Sequence, residues 1–523
     1  MKSFVACFVM CFINIINVAA IEDSCHWHKL ANKELEESLL YQWNVKKAKN
    51  VILFIGDGMS PDTITASRIY HGGETSRLAW EHFPHIGILK TYNTDKQVPD
   101  SASTATALFG GVKTNCKVIG VDANVQLGDC EASLNRSNHV DSFITWAQAA
   151  GKATGFVTTT RVTHATPAPL YAHCANRKWE CEANMPSSAA DCKDIARQLV
   201  EDEPGKNIRV IMGGGRQTMK SNVSASEFDP LDTWACYRQD GRDLINDWIR
   251  DKCKRNLAHR VVQNNEELSS VDVDNVDYLL GIFANGHLEM DWKRERGPKG
   301  QPSLEEMTVT ALRILQKSKQ GYLLMVEGGL IDFAHHRGHA AQALLETVRF
   351  SDAVNATLAM IDINDTLVIV TSDHTHSMSF NGYSDRGSSI LGIAQKSKYD
   401  GTPYTTLSYS TGGPNNVAYT VYNNSQAVRI DPSKSNTSDF NYSQQATIIS
   451  NEAYHGGGDV AAYAIGPHAH LLHSVHEQNY VAHVIAYAMS IGEYANSAGI
   501  SRHVLNMIVL HGTMIALILI AYK

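Results

Sequence analysis

The sequence predicts a doubly wound α/β fold, in which helices flank both faces of a mostly parallel central sheet. Short apolar segments are typical of strands buried on both faces, and five stand out: Val51–Ile55, Gly155–Thr159, Ile208–Met212, Tyr322–Val326 and Leu367–Thr371. Segments with helical periodicity separate them: Asp141–Ala150, Asp191–Glu201, Leu304–Lys317 and Ala340–Met360. This alternation of strand and helix indicates a parallel sheet.

Two regions depart from this alternation. Within residues 25–45, the stretch from His26 to Trp43 predicts an amphipathic helix, which either packs on the core or forms an arm that reaches a partner subunit. Residues 380–445 are rich in Gly, Ser, Thr, Tyr and Asn and have little helical periodicity. We expect them to form an inserted, mostly β or irregular subdomain that faces solvent.

Composition and charge exclude several classes of protein. Of the 523 residues, 43% are hydrophobic and 19% are charged, which excludes a disordered or low-complexity chain. The formal net charge is −8 and no basic stripe stands out, which argues against a nucleic acid as partner.

The two ends indicate an exported, membrane-attached protein. Residues 1–20 combine Lys2, an apolar run and Val18-Ala19-Ala20, which is typical of a secretory signal; a buried helix is the alternative. Residues 497–523 contain an apolar run from Val504 to Tyr522 after small and polar residues. This favours a glycosylphosphatidylinositol (GPI) anchor signal with Asn496 as attachment residue, although the spacer is short, over a single membrane-spanning helix. We therefore expect residues 21–496 to form an extracellular domain at the cell membrane.

Cysteines and glycosylation sequons agree with export. Of ten cysteines, Cys7 and Cys11 leave with the signal, and the remaining eight suggest disulfides. Seven asparagines stand in Asn-x-Ser/Thr sequons: Asn135, Asn222, Asn355, Asn364, Asn423, Asn436 and Asn441.

Potential metal ligands follow three of the predicted strands directly. They are Asp57 in Gly-Asp-Gly, Glu327 in Glu-Gly-Gly, and Asp373 with His374 in Ser-Asp-His. Each motif alone is compatible with a turn or with an acid that faces water. Because the carboxyl ends of parallel strands meet at one edge of a sheet, three such motifs together favour a metal site.

The segment after Glu327 offers two further ligands. Asp332 and His336 are four residues apart, which places both on one helix face, whereas His335 falls on a different face. His455 lies in a glycine-rich stretch before another apolar run. Carboxylates mixed with imidazoles suit zinc and oxygen-rich sets suit magnesium, so this inventory could hold two or three ions. Neighbouring ions of this kind can stabilise the attacking and leaving oxygens of a phosphoryl displacement.

Ser101 is the candidate nucleophile. It follows Pro99-Asp100 and precedes small residues, which predicts a helix N-terminus, where free N–H groups and the helix dipole favour an anion. The alternative is that Ser101 only caps the helix. Neither a Gly-x-Ser-x-Gly motif nor a Walker A loop occurs, which argues against an ordinary esterase and against a nucleotide-driven enzyme.

Together these segments resemble the alkaline phosphatase family in its eukaryotic, GPI-anchored form, from about Val45 to Met489. Four motifs carry the resemblance: Phe-Ile-Gly-Asp-Gly-Met, Pro-Asp-Ser-Ala-x-Thr-Ala-Thr, Val-Glu-Gly-Gly-x-Ile-Asp and Asp-His-x-His. It implies hydrolysis of phosphate monoesters by two Zn²⁺ and one Mg²⁺ per subunit. It also implies that Ser101 is the nucleophile and that Arg177 binds the substrate phosphate. The implied ligands of the first zinc are Asp332, His336 and His455, and those of the second zinc are Asp57, Asp373 and His374. The implied ligands of magnesium are Asp57, Thr166 and Glu327, with His164 beside them.

The resemblance also implies a double displacement, in which Ser101 takes the phosphoryl group and hydroxide then releases it. It further implies a homodimer, with residues 380–445 as a crown subdomain and the N-terminal helix as an arm. The family's disulfide corresponds to Cys130 with Cys192, and six cysteines are left without an assigned partner: Cys25, Cys116, Cys174, Cys181, Cys236 and Cys253.

Two departures from the vertebrate members limit what carries over. Those members have histidine directly after the aspartate matched by Asp332, where this chain has Phe333, so their turnover and pH optimum do not transfer. They also bind calcium with a Phe-Glu pair and a later Asp; here Phe283 precedes Ala284, and Gln301 falls near the Asp position. We expect the calcium site to be weak or absent.

Two other functions remain open at this point. A phosphodiesterase or sulfatase of the same broad metal-dependent superfamily would have different residues around its nucleophile. The segment around Ser101, together with Arg177, argues against this function. A catalytically silent surface binding protein would lack at least one ligand, and none is missing.

Overall fold

The computed structural model describes residues 22–421 and 426–495. The expected signal (1–20), the anchor segment (497–523), Asn496 and Asn423 lie outside the described residues. From Trp43 onward the described chain forms a single compact unit, and the residues before it form a second one.

A ten-stranded, almost entirely parallel sheet forms the centre of the larger unit and confirms the predicted fold class. Its strand order is β19-β2-β18-β8-β1-β7-β3-β4-β6-β5, and only β18 runs antiparallel to its neighbours. Numbered along the chain, its strands are β1 (Asn50–Gly56), β2 (His85–Lys90), β3 (Ala153–Arg161), β4 (Val210–Gly214), β5 (His259–Val262), β6 (Tyr278–Ile282), β7 (Tyr322–Gly328), β8 (Thr366–Thr371), β18 (Val460–Ile465) and β19 (Ser474–Glu477).

Helices account for most of the remaining regular structure, and apolar clusters pack against the sheet strands. Each helix predicted above is present, within a few residues of its expected bounds. The described helices are α1 (Ser24–Leu40), α2 (Pro61–Gly72), α3 (Ser101–Gly110), α4 (Cys130–Leu134), α5 (Phe143–Ala149), α6 (Ile195–Glu201), α7 (Arg216–Met219), α8 (Leu244–Lys254), α9 (Asn265–Ser269), α10 (Leu304–Leu315), α11 (Leu330–His336), α12 (Ala340–Leu358) and α13 (Tyr480–Met489). No described helix is long and apolar enough to cross a bilayer.

The N-terminal helix is shorter than predicted. Helix α1 ends at Leu40, so residues 41–45 are not helical, and Trp43 lies outside the helix. Asp23 caps its start by accepting a hydrogen bond from the backbone N–H of His26. Leu30, Leu35 and Leu39, the expected apolar face, are all exposed.

Short strands replace helices between β8 and β18, in agreement with the β-rich character predicted for residues 380–445. They are β9 (Thr375–His376), β10 (Met378–Phe380), β11 (Ile393–Lys396), β12 (Pro403–Thr405), β13 (Leu407–Gly412), β14 (Tyr419–Val421), β15 (Ala427–Arg429), β16 (Ala446–Ile449) and β17 (His455–Gly456). A small apolar cluster that includes Leu344, Met378 and Tyr409 joins this region to α12.

Two disulfides tie the loops beside the sheet. One joins Cys130 to Cys192, the pair implied by the resemblance, and the other joins Cys181 to Cys236, which the sequence left unassigned. Cys25, Cys116, Cys174 and Cys253 are free. Buried Cys174 lies in the core, where burial raises its pKa to about 12 and keeps it a thiol.

Candidate metal centre and active site

Three adjacent strands bring the predicted carboxylates together. In the sheet, β1 lies between β7 and β8, with Ile55 opposite both Glu327 and Thr371. Asp57, Glu327 and Asp373 therefore emerge side by side at the carboxyl edge, each with a side chain that is fully buried. Asp373 accepts hydrogen bonds from the backbone N–H groups of Gly58 (3.0 Å) and His374 (2.8 Å), which fix its direction.

This carboxylate cluster is short of compensating positive charge. Burial raises the pKa of Asp57 well above its ordinary value, and the negative charges of Asp373, Asp332 and Glu327 raise it further. Burial also raises the pKa of Glu327 to about 7, against hydrogen bonds from Thr158 and Thr166 that lower it. Asp57 Oδ1 and Glu327 Oε1 are buried without a hydrogen-bond partner among the described residues. Orphaned, mutually repelling carboxylate oxygens of this kind fit cations.

A second set of ligands meets on the neighbouring helix and loop. As predicted, Asp332 and His336 share one face of α11, with Asp332 Oδ2 3.1 Å from His336 Nε2. His455 Nε2 lies 3.0 Å from His336 Nε2 and 3.5 Å from Asp332 Oδ1. His336 Nδ1 lies 2.7 Å from the Ala453 carbonyl, and His455 Nδ1 lies 2.8 Å from the Pro99 carbonyl. Donation to these carbonyls leaves both Nε2 atoms available to a metal ion.

The ligand atoms form overlapping groups of the size a metal ion requires. Within each of four triplets, the candidate atoms lie within 4.8 Å of one another: Asp332–His374–His455, Asp332–His336–His376, Asp57–Asp373–His374 and Asp57–His164–Glu327. Groups with two imidazoles suit zinc, and the Asp57–Glu327 group is rich in oxygen, which suits magnesium. The residues present thus fit both kinds of metal ion that the resemblance implies.

Hydroxyl groups surround Glu327 and complete the oxygen-rich group. Thr158 and Thr160 both donate to Glu327 Oε2, the latter at 3.1 Å. Thr166 Oγ1 donates to Asp57 Oδ2 at 3.4 Å, so Thr166 also lies beside these carboxylates. Apart from His164, this part of the site offers oxygen atoms alone.

Ser101 is the first residue of α3, and its cap is Asp100. The Asp100 side chain accepts a hydrogen bond from the Ala102 N–H, so the interpretation of Ser101 as a simple N-cap is wrong. Ser101 Oγ lies 3.2 Å from His374 Nε2, a member of the Asp57–Asp373–His374 triplet. The hydroxyl is therefore aimed at the candidate metal site while it sits at the positive end of a ten-residue helix.

Arg177 reaches the same place from the loop after β3. Its Nη1 donates to Asp100 Oδ2 at 3.0 Å, and its Nη2 lies 3.3 Å from His164 Nε2. Burial and the charges of His287, Arg161 and Arg177 hold the pKa of His164 well below its ordinary value, so its ring is neutral and can accept from Arg177. About a fifth of the Arg177 side chain is exposed (21%), so the guanidinium faces the cavity.

A cavity of about 1840 Å³ opens over these groups, and Ser101, His164, Arg177, His336 and His455 all line it. One wall is aromatic and basic. The Phe333 ring lies 5.2 Å from the His287 ring, and the Arg337 guanidinium stacks over Phe333 at 4.1 Å. Phe333, the departure noted in the sequence, is thus part of the cavity wall.

Sequence reasoning missed three contributors to the site. His376 is buried with its Nε2 3.7 Å from Asp332 Oδ1, and it belongs to one of the metal triplets. Asp100 positions both α3 and Arg177, and Thr158 braces Glu327. His376 carried a signal as the second histidine of Asp-His-x-His, and Asp100 as the acid of Pro-Asp-Ser-Ala, whereas Thr158 stands in no motif.

Beside the expected calcium position, the side chain of Arg216 binds oxygen atoms of neighbouring residues. Arg216 pairs with Asp229 and donates to Asn285 Oδ1 (2.7 Å) and to the Ile282 carbonyl (2.9 Å). The Ala284 carbonyl accepts from the Arg216 N–H. Gln301 Oε1 accepts from the Glu289 N–H at 2.8 Å. Ala284 and Gln301 therefore supply no carboxylate at the two positions where the vertebrate members have acids.

Comparisons with known proteins agree with this geometry. The family model for alkaline phosphatase matches residues 48–491. The chain is 43% identical over 482 residues to the tissue-nonspecific isozyme of alkaline phosphatase from Gallus gallus, and the match covers 90% of each chain. It is 42% identical over 493 residues to the tissue-nonspecific isozyme from Homo sapiens, and the match covers 92% of this chain and 91% of the relative. It is 41% identical to alkaline phosphatase 4 of Drosophila melanogaster, covering 90% of this chain and 82% of that one.

Solved structures show the same fold at greater distance. The alkaline phosphatase of Thermus thermophilus superposes with a TM-score of 0.60 at 22% identity, covering 86% of this chain and 92% of that one. That of the Antarctic bacterium TAB5 superposes with a TM-score of 0.57 at 22% identity, covering 86% and 99%. With the fold, the metal ligands and the sequence relatives in agreement, the chain belongs to the alkaline phosphatase family and is a phosphomonoester hydrolase.

Proposed function

We propose that this chain hydrolyses phosphate monoesters by a double displacement through a phosphoserine at Ser101. The observation that carries the proposal is the position of Ser101 Oγ, which lies at the N-terminus of α3 and 3.2 Å from His374 Nε2 of a metal triplet. A nucleophilic hydroxyl in that position is activated by nearby positive charge and lies within reach of a bound phosphate.

Arg177 and α3 bind the phosphate before reaction. The guanidinium has five N–H groups; Asp100 takes one on Nη1 and His164 takes one on Nη2, so each terminal nitrogen keeps one for a phosphate oxygen. Two parallel hydrogen bonds of this kind hold a phosphoryl group in a fixed orientation. Asp100 keeps the guanidinium aimed at Ser101, since it caps the helix that carries the nucleophile.

The reaction itself forms and breaks two bonds to phosphorus in turn. Ser101 gives its proton to solvent as Oγ attacks, its bond to phosphorus forms, and the bond from phosphorus to the alcohol oxygen breaks; the alcohol leaves with a proton from solvent. Water then attacks the phosphoserine, the bond to Oγ breaks, and Ser101 recovers its proton as inorganic phosphate leaves. Asp332, His336 and His455 would hold one Zn²⁺, and Asp57, Asp373 and His374 would hold the other. Asp57, Thr166 and Glu327 would hold Mg²⁺. When bound, these ions would supply Lewis-acid stabilisation of charge on the attacking and leaving oxygens.

The test compares the wild type with Ser101→Ala on an aryl phosphate, from neutral to strongly alkaline pH. We expect metal-dependent release of phosphate by the wild type and a loss of several orders of magnitude in the variant. Acid quenching during turnover, followed by peptide mass spectrometry, should find the phosphoryl group on Ser101. Ser410→Ala is the matched control, because Ser410 lines the same cavity but is not at a helix N-terminus. Activity that survives in Ser101→Ala would contradict the proposal.

We also propose export, a GPI anchor, N-glycosylation and a homodimer for this chain. The six described sequon asparagines are all exposed, which glycosylation requires: Asn135, Asn222, Asn355, Asn364, Asn436 and Asn441. Release of activity from intact cells by a phosphatidylinositol-specific phospholipase tests the anchor, and retention on the membrane would contradict it. Light scattering of the released protein tests the dimer, and a monomeric mass would contradict it.

A further inference from the structure

The wall of the active-site cavity beside α11 combines an aromatic ring with an exposed cation. Phe333 and Arg337 are four residues apart at the end of this helix, and the guanidinium carbon of Arg337 lies 4.1 Å from the centre of the Phe333 ring. Both residues line the cavity, and Arg337 is exposed. The ring thus gives the long arginine side chain a surface on which to rest.

The backbone fixes the position from which this arginine extends. Arg337 is the C-cap of α11, and Gly338, the next residue, has a φ of +70°. A Cβ atom at Gly338 would lie 2.0 Å from Asn416 Nδ2, so glycine is required there. The Gly338 carbonyl accepts a hydrogen bond from the Gln444 N–H at 2.8 Å. The end of the helix is therefore tied to the segment that packs on it.

The acids closest to Arg337 are already engaged by other cations. Asp232 and Glu289 are the two carboxylates whose charges act on the Arg337 guanidinium. Asp232 accepts a hydrogen bond from Arg161 Nη1 at 3.1 Å, and Glu289 accepts one from Lys293 at 3.0 Å. Among the described residues, no carboxylate forms an ion pair with Arg337 itself. Its positive charge is therefore available to an anion in the cavity.

A row of contacts connects Arg337 to the residue that binds the phosphate. Arg177 Nη2 lies 3.3 Å from His164 Nε2, and the ring centroids of His164 and His287 are 5.0 Å apart. The Phe333 ring comes next, 5.2 Å from that of His287, and Arg337 lies beyond it. All five residues line the cavity. The two arginines thus stand at the ends of one wall, with an apolar ring between them.

An in-line displacement by Ser101 would direct the leaving group toward α11. Ser101 Oγ lies 3.2 Å from His374 Nε2, and the leaving oxygen must stand opposite the attacking one. The second set of ligands includes His336, the last residue of α11, and Arg337 follows it directly. The wall formed by Phe333 and Arg337 therefore adjoins the side on which the leaving group departs.

We propose that Phe333 and Arg337 form a leaving-group subsite, which favours phosphate monoesters whose alcohol carries an apolar portion next to the phosphate and a carboxylate beyond it. This inference rests on the proposed function and narrows its substrate class. The Phe333 ring contacts the apolar portion, and the planar guanidinium of Arg337 pairs with the carboxylate. Because Arg337 is exposed, water and salt screen the pair, and the preference is modest.

The test compares two esters of nearly the same shape, 4-carboxyphenyl phosphate and 4-carbamoylphenyl phosphate, on the enzyme loaded with zinc and magnesium. The quantity measured is the ratio of kcat/KM for the carboxylate ester to kcat/KM for the amide ester, in which effects common to both esters cancel. Arg337→Gln should lower this ratio about two- to fivefold relative to the wild type, and Arg337→Lys should lower it less. The change should appear in KM rather than in kcat, and added salt should lower the ratio of the wild type.

Lys178→Gln is the matched control. Lys178 is an exposed cation that lines the same cavity next to Arg177, so this variant removes a positive charge beside the phosphate rather than beside Phe333. We expect it to keep the wild-type ratio. An unchanged ratio in Arg337→Gln would overturn the subsite, and so would an equal fall in both variants, because the general charge of the cavity would then explain the preference. If the wild type hydrolysed neither ester, the proposed function would fail and the subsite with it; hydrolysis of both esters at a ratio that does not depend on Arg337 would overturn the subsite alone.

Discussion

Replacing Arg177 tests the proposal that this residue binds the phosphate group that Ser101 attacks. Arg177→Ala removes the N–H group that each terminal nitrogen keeps for phosphate after Asp100 and His164 have taken theirs. A hydrogen bond that involves a charged group contributes about 1.5–3 kcal/mol, so two contribute about 3–6 kcal/mol. At 1.4 kcal/mol for each factor of ten, kcat/KM should fall about 10²–10⁴-fold.

Arg177→Lys separates charge from geometry. Lysine keeps the positive charge but offers a single point of contact instead of a planar fork, so it loses one of the two parallel bonds. We expect roughly half of the free energy lost in Arg177→Ala, which corresponds to about a 10- to 100-fold fall in kcat/KM.

The assay is initial-rate hydrolysis of an aryl phosphate with saturating zinc and magnesium, together with inhibition by inorganic phosphate. Both substrate and product binding should weaken, because the phosphate is gripped in both complexes. Lys178→Ala is the matched control, since Lys178 lines the same cavity next to Arg177 and should change kcat/KM little. Near-wild-type kcat/KM in Arg177→Ala, or equal losses in the Ala and Lys variants, would refute the reasoning.

Four further predictions follow from other contacts. Burial raises the pKa of Glu346 to about 7, so ionised Glu346 destabilises the fold above that pH. Glu346→Gln should therefore leave stability unchanged below pH 4. At pH 9 it should raise the free energy of unfolding, measured by denaturant titration, by about 3 kcal/mol. Arg337→Ala should lower kcat/KM about two- to fivefold for esters whose leaving group carries a second negative charge, and little for neutral ones, in parallel kinetic assays. Because Ala284 and Gln301 supply no carboxylate at the calcium position, calcium added to calcium-free protein should leave the thermal midpoint unchanged, and a rise would contradict that. After metal removal, Asp57→Asn should unfold at a higher temperature than the wild type above neutral pH, since one repelling carboxylate is lost, while phosphatase activity of the reloaded protein falls sharply.

The sequence predicted the central sheet well because its strands are buried on both faces. A strand such as β7 has no solvent-exposed side, so its apolar run ends abruptly where the functional residues begin. The edge strand β19 and its neighbour β2 gave a weaker signal. β2 alternates buried and exposed residues and β19 is mostly exposed, and neither was predicted, although the order of the sheet depends on both.

The limits of the N-terminal helix could not be read from periodicity. The apolar residues continue through Tyr41 and Trp43, which suggested a longer helix, but Tyr41 already has extended backbone geometry. The second disulfide was equally out of reach, since cysteines 55 residues apart carry no pairing information until the loops between them are folded.

The adjacent residues His335 and His336 show which features of a site can be predicted from sequence spacing. Spacing alone put His336 with Asp332 and His335 on another face, and the structure agrees: His335 bonds to Thr63 (3.0 Å) and Tyr409 (2.8 Å) inside the protein. Periodicity thus assigns side chains to faces of one element. It does not reveal partners supplied by other elements, such as Asp100 for Arg177 or Thr158 for Glu327, because those contacts depend on how loops cross the sheet edge.

The same limit explains why the contact between His85 and His473 was not predicted while the active site was. The active-site ligands stand at strand ends, where a parallel sheet converges by construction, so a local motif is enough to place them. His85 and His473 are 388 residues apart and meet only because β18 inserts antiparallel between β2 and β8. One reversed strand therefore decides whether those two imidazoles face each other, and no local pattern in either segment encodes that reversal.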